Sequence, residues 1–92
     1  AWDKRLAASG KADEFRRRMA GEVDERWLAP YLDALLENPP TVATRKASEM
    51  ALEVINTAVP STVGGSADLT GSNNTKTKAT TPLTAEDYSG RY

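Results

Sequence analysis

Residues 62–73, Thr-Val-Gly-Gly-Ser-Ala-Asp-Leu-Thr-Gly-Ser-Asn, set a glycine pair, a lone carboxylate and a hydroxyl in one short polar stretch. Glycines here permit positive backbone torsions and the close approach of a ligand or a second backbone. An aspartate held on such a turn accepts hydrogen bonds with defined geometry. Asp68 is therefore a candidate binding residue, with a plain turn and a capping aspartate as the other reading. The spacing matches neither G-x-G-x-x-G nor G-x-x-x-x-G-K-[ST], so neither a dinucleotide fingerprint nor a Walker loop is supported. Arg45 is the second candidate, in Thr44-Arg45-Lys46-Ala47-Ser48-Glu49. An arginine on the first helical turn joins a planar two-pronged donor to unpaired backbone N–H groups, which together suit a phosphate. It reads equally as a surface arginine, although a cation at a helix N-terminus is electrostatically unfavourable and needs a compensating use. Lys46 reads as solvated charge. Ser72 is the third, as a hydroxyl donor to a phosphate oxygen or an ordinary turn residue.

The composition excludes several other chemistries. The chain has no histidine and no cysteine, which removes Ser-His and Cys-His nucleophiles and the usual zinc ligands. With 12 Lys and Arg against 13 Asp and Glu, the formal charge is −1, so no global field draws the chain to nucleic acid or an anionic membrane. Arg16-Arg17-Arg18 is the one dense basic run, and it reads as the end of a solvated helix opened by Asp13 and Glu14. No apolar run approaches the ~20 residues of a membrane span, and no hydrophobic signal core begins the chain. Cytoplasm is the default compartment. Asn73-Asn74-Thr75 matches a glycosylation sequon, read as unmodified without a secretory signal.

The elements that must position these residues follow from periodicity. Residues 1–10 read as a loose lead-in ending in the breaker Ser9-Gly10. A first helix is expected from about Lys11 to Ala20, with Gly21 closing it. Leu28, Tyr31, Leu32, Leu35 and Leu36 share one stripe of a second helix. Its regular part is expected to begin near Pro30, with 25–29 as a turn or kinked extension, and Asn38-Pro39-Pro40 ends it. That double proline marks the best internal boundary. From Thr44, Ala47, Met50, Ala51, Val54, Ile55 and Ala58 define an amphipathic helix, with Thr44 as N-cap and Pro60 as terminator. A short strand at 61–66 would then deliver the polar loop at its carboxyl end, one half-step of a parallel α/β sheet. Residues 70–84 lack any apolar period and are expected to be irregular and mobile in isolation.

The Thr-Arg-Lys helix opening, the Gly-Gly-Ser-Ala-Asp-Leu loop and the tail Asp87-Tyr88-Ser89-Gly90-Arg91-Tyr92 resemble the start of the pyrimidine-binding domain of a transketolase. The resemblance is close over the second half of the chain and looser over the first. It implies an α/β thiamine-diphosphate-binding fold, with residues 1–43 as a helical interdomain connector and 44–92 as the N-terminal part of the pyrimidine-binding domain. By the resemblance Asp68 contacts thiamine diphosphate, while Arg45 and Ser72 share the phosphate of a sugar phosphate substrate. Gly71 stands where many members have proline, which leaves the Ser72 loop more unfolded-state entropy to lose. The glutamate that activates the aminopyrimidine and the Gly-Asp-Gly site for a divalent cation (Mg or Ca) are not in this chain, and Glu86 does not replace them. The resemblance thus implies an inactive fragment of a homodimeric enzyme, whose cofactor supplies the carbon–carbon chemistry. The absence of an initiator methionine and the stop at Tyr92 agree with a fragment. A dihydroxyacetone synthase-like relative and a non-catalytic helical interaction module are the alternatives.

Overall fold

Short helices with charged ends form the first third of the molecule, in a computed structural model that describes all 92 residues. Helix α1, Trp2–Ala8, has Asp3 in its first turn and Arg5 in its last, the order the macrodipole favours. Its two turns replace the expected loose lead-in, since seven residues are too few to reveal a helical period. Trp2 fixes it by meeting the Phe15 ring edge-on, centroids 5.3 Å apart, a geometry aromatic pairs prefer. Gly10, at φ 71°, separates it from α2, Ala12–Met19. The arginine run of α2 is occupied along the helix itself. Arg17 and Arg18 pair with Glu14 at 2.8 and 2.5 Å, and Arg16 with Asp13 at 3.2 Å, which supports the solvated-helix reading. Gly21, at φ 72°, closes α2 as expected. Its N–H donates to the Arg18 carbonyl and that of Glu22 to the Arg17 carbonyl, the Schellman arrangement that a glycine makes possible.

Helix α3, Leu28–Glu37, begins two residues before Pro30, earlier than expected. Proline at the third helical position removes an N–H that has no intrahelical acceptor, so it breaks nothing. Helix α4, Thr44–Ala58, is the longest element, and Thr44 is its first helical residue, not its cap. Ala43 takes the cap position through its extended backbone, and its carbonyl accepts from the Lys46 and Ala47 N–H groups at 2.9 and 3.0 Å. No side chain caps α4.

No strand forms. Residues 61–66 are irregular, and Gly64 donates one backbone bond to the Arg91 carbonyl at 3.0 Å. A strand requires a ladder of such bonds with a neighbour, and no second segment of this chain runs alongside. Beyond it, α5, Thr70–Asn73, is a single turn inside a stretch expected to be irregular. The remainder has no regular element. A tight return brings the last two residues back, with the Arg91 and Tyr92 N–H groups both reaching the Thr81 carbonyl and Leu83 donating to the Tyr92 carbonyl.

Only Asn56, Val59, Thr77, Thr80 and Gly90 are buried, so the centre of the second half is polar and must be satisfied by hydrogen bonds. The Asn56 amide donates to Thr77 Oγ1 at 3.0 Å and accepts from Thr62 Oγ1 at 2.9 Å. Arg91 closes the network, donating to the Asn56 and Ala79 carbonyls at 2.9 and 3.0 Å and to Thr62 Oγ1 at 3.1 Å. The radius of gyration is 16.7 Å, against about 12 Å for a compact chain of this length. The molecule is a flat body, 55 × 34 × 17 Å. No helix is long and apolar enough to cross a membrane.

Candidate functional site

The three candidate residues lie on three different local structures, and each is exposed. Arg45 is the second residue of α4. Its neighbour Lys46 is not merely solvated: its ammonium donates to Glu49 Oε2 at 2.9 Å. The Arg45 guanidinium has no hydrogen-bond or salt-bridge partner in the chain and is exposed beside the helix N-terminus.

Asp68 is held by its backbone. Its N–H returns to the Ser66 carbonyl at 2.9 Å and its φ is 60°, a left-handed torsion that aspartate tolerates better than most residues. Helix α5, which follows, has Leu69 at its cap and no side-chain cap bond. The capping role open to Asp68 is therefore not taken up, and its carboxylate is left without an intramolecular donor. The glycine pair works differently from expectation. Positive torsions fall on Asp68 and Asn74 instead of on Gly64 or Gly65. A Cβ at either position would meet nothing within 4 Å, so local packing does not require glycine there. Both glycines border a cavity of about 270 Å³ between α4 and the carboxyl-terminal return, with Leu52, Ile55, Arg91 and Tyr92 also in its wall.

Ser72 sits within α5, and its hydroxyl donates to the Leu69 carbonyl at 3.2 Å. This is a local bond on an exposed surface, readily exchanged for a stronger acceptor. The turn is tied to α4 through Asn74, whose amide donates to Glu49 Oε2 at 3.0 Å. Glu49 lies four residues after Arg45, on the same helix face. The structure thus links the Ser72 turn to the face of α4 that carries Arg45, whereas no hydrogen bond joins Asp68 to either residue.

The sequence reading missed the residues that hold this arrangement. Arg91 reaches two carbonyls near the end of α4, Asn56 at 2.9 Å and Val59 at 3.4 Å, where the helix macrodipole favours a cation. The Tyr92 hydroxyl bonds Thr70 Oγ1 at 2.6 Å and Thr75 Oγ1 at 2.7 Å, bracketing α5. Nothing in the sequence near Gly90-Arg91-Tyr92 has a period or motif that signals long-range contacts. The density of threonine and asparagine in 70–80 was the available clue, since such residues are buried only when something donates to them.

Arg45, with no partner in the chain, and Ser72, with one local bond to Leu69, offer donors for an anion, and the Asp68 carboxylate offers an acceptor on the neighbouring turn. Comparison with known proteins identifies the family. The transketolase, pyrimidine binding domain family matches residues 40–92. The chain is 48% identical over 96 residues to a transketolase of Sinorhizobium medicae, taking in 100% of this chain and 14% of that protein. It is 48% identical to one of Rhodobacter capsulatus, over 99% of this chain and 14% of the relative. Identity to transketolase 1 of Vibrio cholerae is 42%, over 100% of this chain and 15% of that protein. No solved structure matches. The chain spans about one-seventh of the length of these relatives, and it belongs to the transketolase family.

Proposed function

We propose that this chain is the substrate-phosphate and cofactor-edge segment of a transketolase, a transferase that moves a two-carbon ketol unit between ketose and aldose phosphates. Residues 1–43 serve as the helical connector and 44–92 as the opening of the pyrimidine-binding domain. In the whole enzyme the extended piece at 61–66 gains its neighbours and becomes a strand of the parallel sheet. The observation that carries the reading is the transketolase pyrimidine-binding-domain match over residues 40–92, a stretch in which Lys46 is paired with Glu49 while Arg45 and Asp68 keep their charges without a partner in the chain.

Arg45 and Ser72 bind the terminal phosphate of the sugar phosphate, away from the reacting carbons. Arg45 supplies two donors and Ser72 exchanges its local bond to Leu69 for a phosphate oxygen. Asp68 fits thiamine diphosphate, because its carboxylate is aimed by a fixed turn and left free to accept from the cofactor's amine or ring. Bound thiamine diphosphate supplies the electron sink for breaking and making the carbon–carbon bond. The divalent cation of the parent (Mg or Ca) is held by residues outside this chain, in the metal-binding domain that the resemblance implies. By itself the 92-residue piece is inactive. The parent is a cytoplasmic homodimer of the pentose phosphate pathway, whose remaining residues and second subunit are the partners of this segment.

The test is the full-length enzyme assayed with thiamine diphosphate and magnesium, on an aldose phosphate and on formaldehyde as acceptors. Transfer to the aldose phosphate, with Asp68→Asn weakening the apparent cofactor affinity tenfold or more, is the expected result. Transfer to formaldehyde alone would identify a dihydroxyacetone synthase-like enzyme. No two-carbon transfer, with cofactor binding indifferent to Asp68, would leave a non-catalytic module.

A further inference from the structure

We infer that Asn74 and Glu49 are positioning residues that set the separation of Arg45 and Ser72, an inference that rests on the phosphate-binding reading above. Three features converge on this pair. Asn74 follows Ser72 by two residues and stands at φ 54°, a left-handed torsion that aims its side chain away from α5 and that asparagine tolerates. Its N–H still donates to the Thr70 carbonyl at 3.0 Å, so the amide moves with the turn that holds Ser72. The amide then reaches Glu49 Oε2 at 3.0 Å, the oxygen that also takes the Lys46 ammonium at 2.9 Å.

Glu49 therefore does two things at once. It pairs with Lys46 through Oε2, while the Arg45 guanidinium on the same helix face has no partner in the chain and stays available for an anion. By accepting Asn74 it anchors the Ser72 turn to that same face. The other side of α5 is fixed independently, by the Tyr92 hydroxyl between Thr70 and Thr75 at 2.6 and 2.7 Å. Asn74–Glu49 is thus the single side-chain bond from this turn to the helix of Arg45. A phosphate held by both residues senses its length directly, since misplacement by about 1 Å is enough to lose productive binding.

The test uses the full-length enzyme and a reversal of hydrogen-bond polarity. Asn74→Asp keeps shape and left-handed tolerance but sets a carboxylate against Glu49; adding Glu49→Gln restores a donor from the opposite side. Asn74→Asp should raise KM for phosphorylated substrates about five- to tenfold, the scale of one lost bond plus a repulsion, with kcat and the KM for unphosphorylated acceptors unchanged. The double variant should return KM to within about twofold of the parent. Asn74→Gly, which keeps the backbone torsion and deletes only the amide, gives the same selective rise should the aspartate variant fold poorly. A loss shared by both substrate types, no change in either variant, or no rescue in the pair overturns the inference. Arg45→Ala is run in parallel: if it too is unselective, the phosphate reading itself fails, whereas a selective Arg45→Ala beside indifferent Asn74 variants removes the positioning role alone.

Discussion

Replacing Arg91 by methionine keeps the apolar stem and removes the guanidinium donors that join the end of α4 to Thr62 and Ala79. Three of its bonds have ordinary length: to the Asn56 carbonyl at 2.9 Å, the Ala79 carbonyl at 3.0 Å and Thr62 Oγ1 at 3.1 Å. Hydrogen bonds to a charged partner contribute about 1.5–3 kcal/mol each, and Arg91 is only half-buried, so the low end of the range applies. The three together are worth roughly 4–5 kcal/mol. A chain of this length has about 5–14 kcal/mol of stability in all, and one with so small a buried core belongs at the bottom of that range. Arg91→Met should therefore undock the second half instead of merely weakening it. Native-state hydrogen exchange resolves this locally: the amides of Gly64, Leu83 and residue 91, each bonded across the return, should lose about a thousandfold in protection. The amides of Phe15 and Ala20 in the α2 region should not change. Arg91→Lys should fall between, because one ammonium cannot span the acceptors that a guanidinium does. A change of less than tenfold at Gly64 and Leu83 would refute the clamp.

Gly90→Ala would place a Cβ 2.2 Å from the Pro82 carbonyl oxygen, a clash only backbone movement can relieve. It should cost about 1–3 kcal/mol and lower the thermal midpoint by several degrees, and an unchanged midpoint by circular dichroism would show that the return is not packed as described. The Asp24 carboxyl is held down to about 2, against an ordinary 3.8, by the Arg26 side chain first and then by its backbone N–H. The stability linked to this group is present above about 3.8 and is lost as pH falls through about 2; a carboxyl NMR titration midpoint near 3.8, unmoved by Arg26→Ala, would contradict the pairing. Leu28, Leu32 and Leu36 are exposed along α3, and each such side chain gains roughly 1.5–3 kcal/mol on burial. The separate 92-residue chain should consequently self-associate, and a compact monomer by sedimentation at high micromolar concentration would count against it.

Helices α1 and α5 were too short to show a period, whereas α2, α3 and α4 were legible because their determinants are local. Gly21 and Pro39 stop them, Asp13 and Glu14 precede Arg16–Arg18, and the α4 stripe repeats over four turns. Boundaries that depend on backbone alone were not: Ala43 caps α4 without a side-chain bond, and Pro30 is accommodated inside α3. The strand at 61–66 was over-read, because β structure is a property of two segments and only one is in this chain. Asp68 and Ser72 were singled out by type and spacing, whereas Asn74, Glu49, Arg91 and Tyr92 act across separations of 12 to 35 residues, which no local pattern encodes. The glycine pair was read for positive torsions that neither residue adopts, and a Cβ at either would meet open space.

The most direct test of the central claim is Arg45→Ala in the full-length enzyme, measured with matched phosphorylated and unphosphorylated acceptors. Arg45 has no partner within the chain, so its removal breaks no internal bond and leaves the fold intact. KM for phosphorylated substrates should rise about tenfold or more, as for the loss of a charge-assisted bond of about 1.5–3 kcal/mol. Unphosphorylated acceptors should be nearly unaffected. An equal loss on both would mean that Arg45 supports the fold or the cofactor, and the phosphate site would be wrongly assigned.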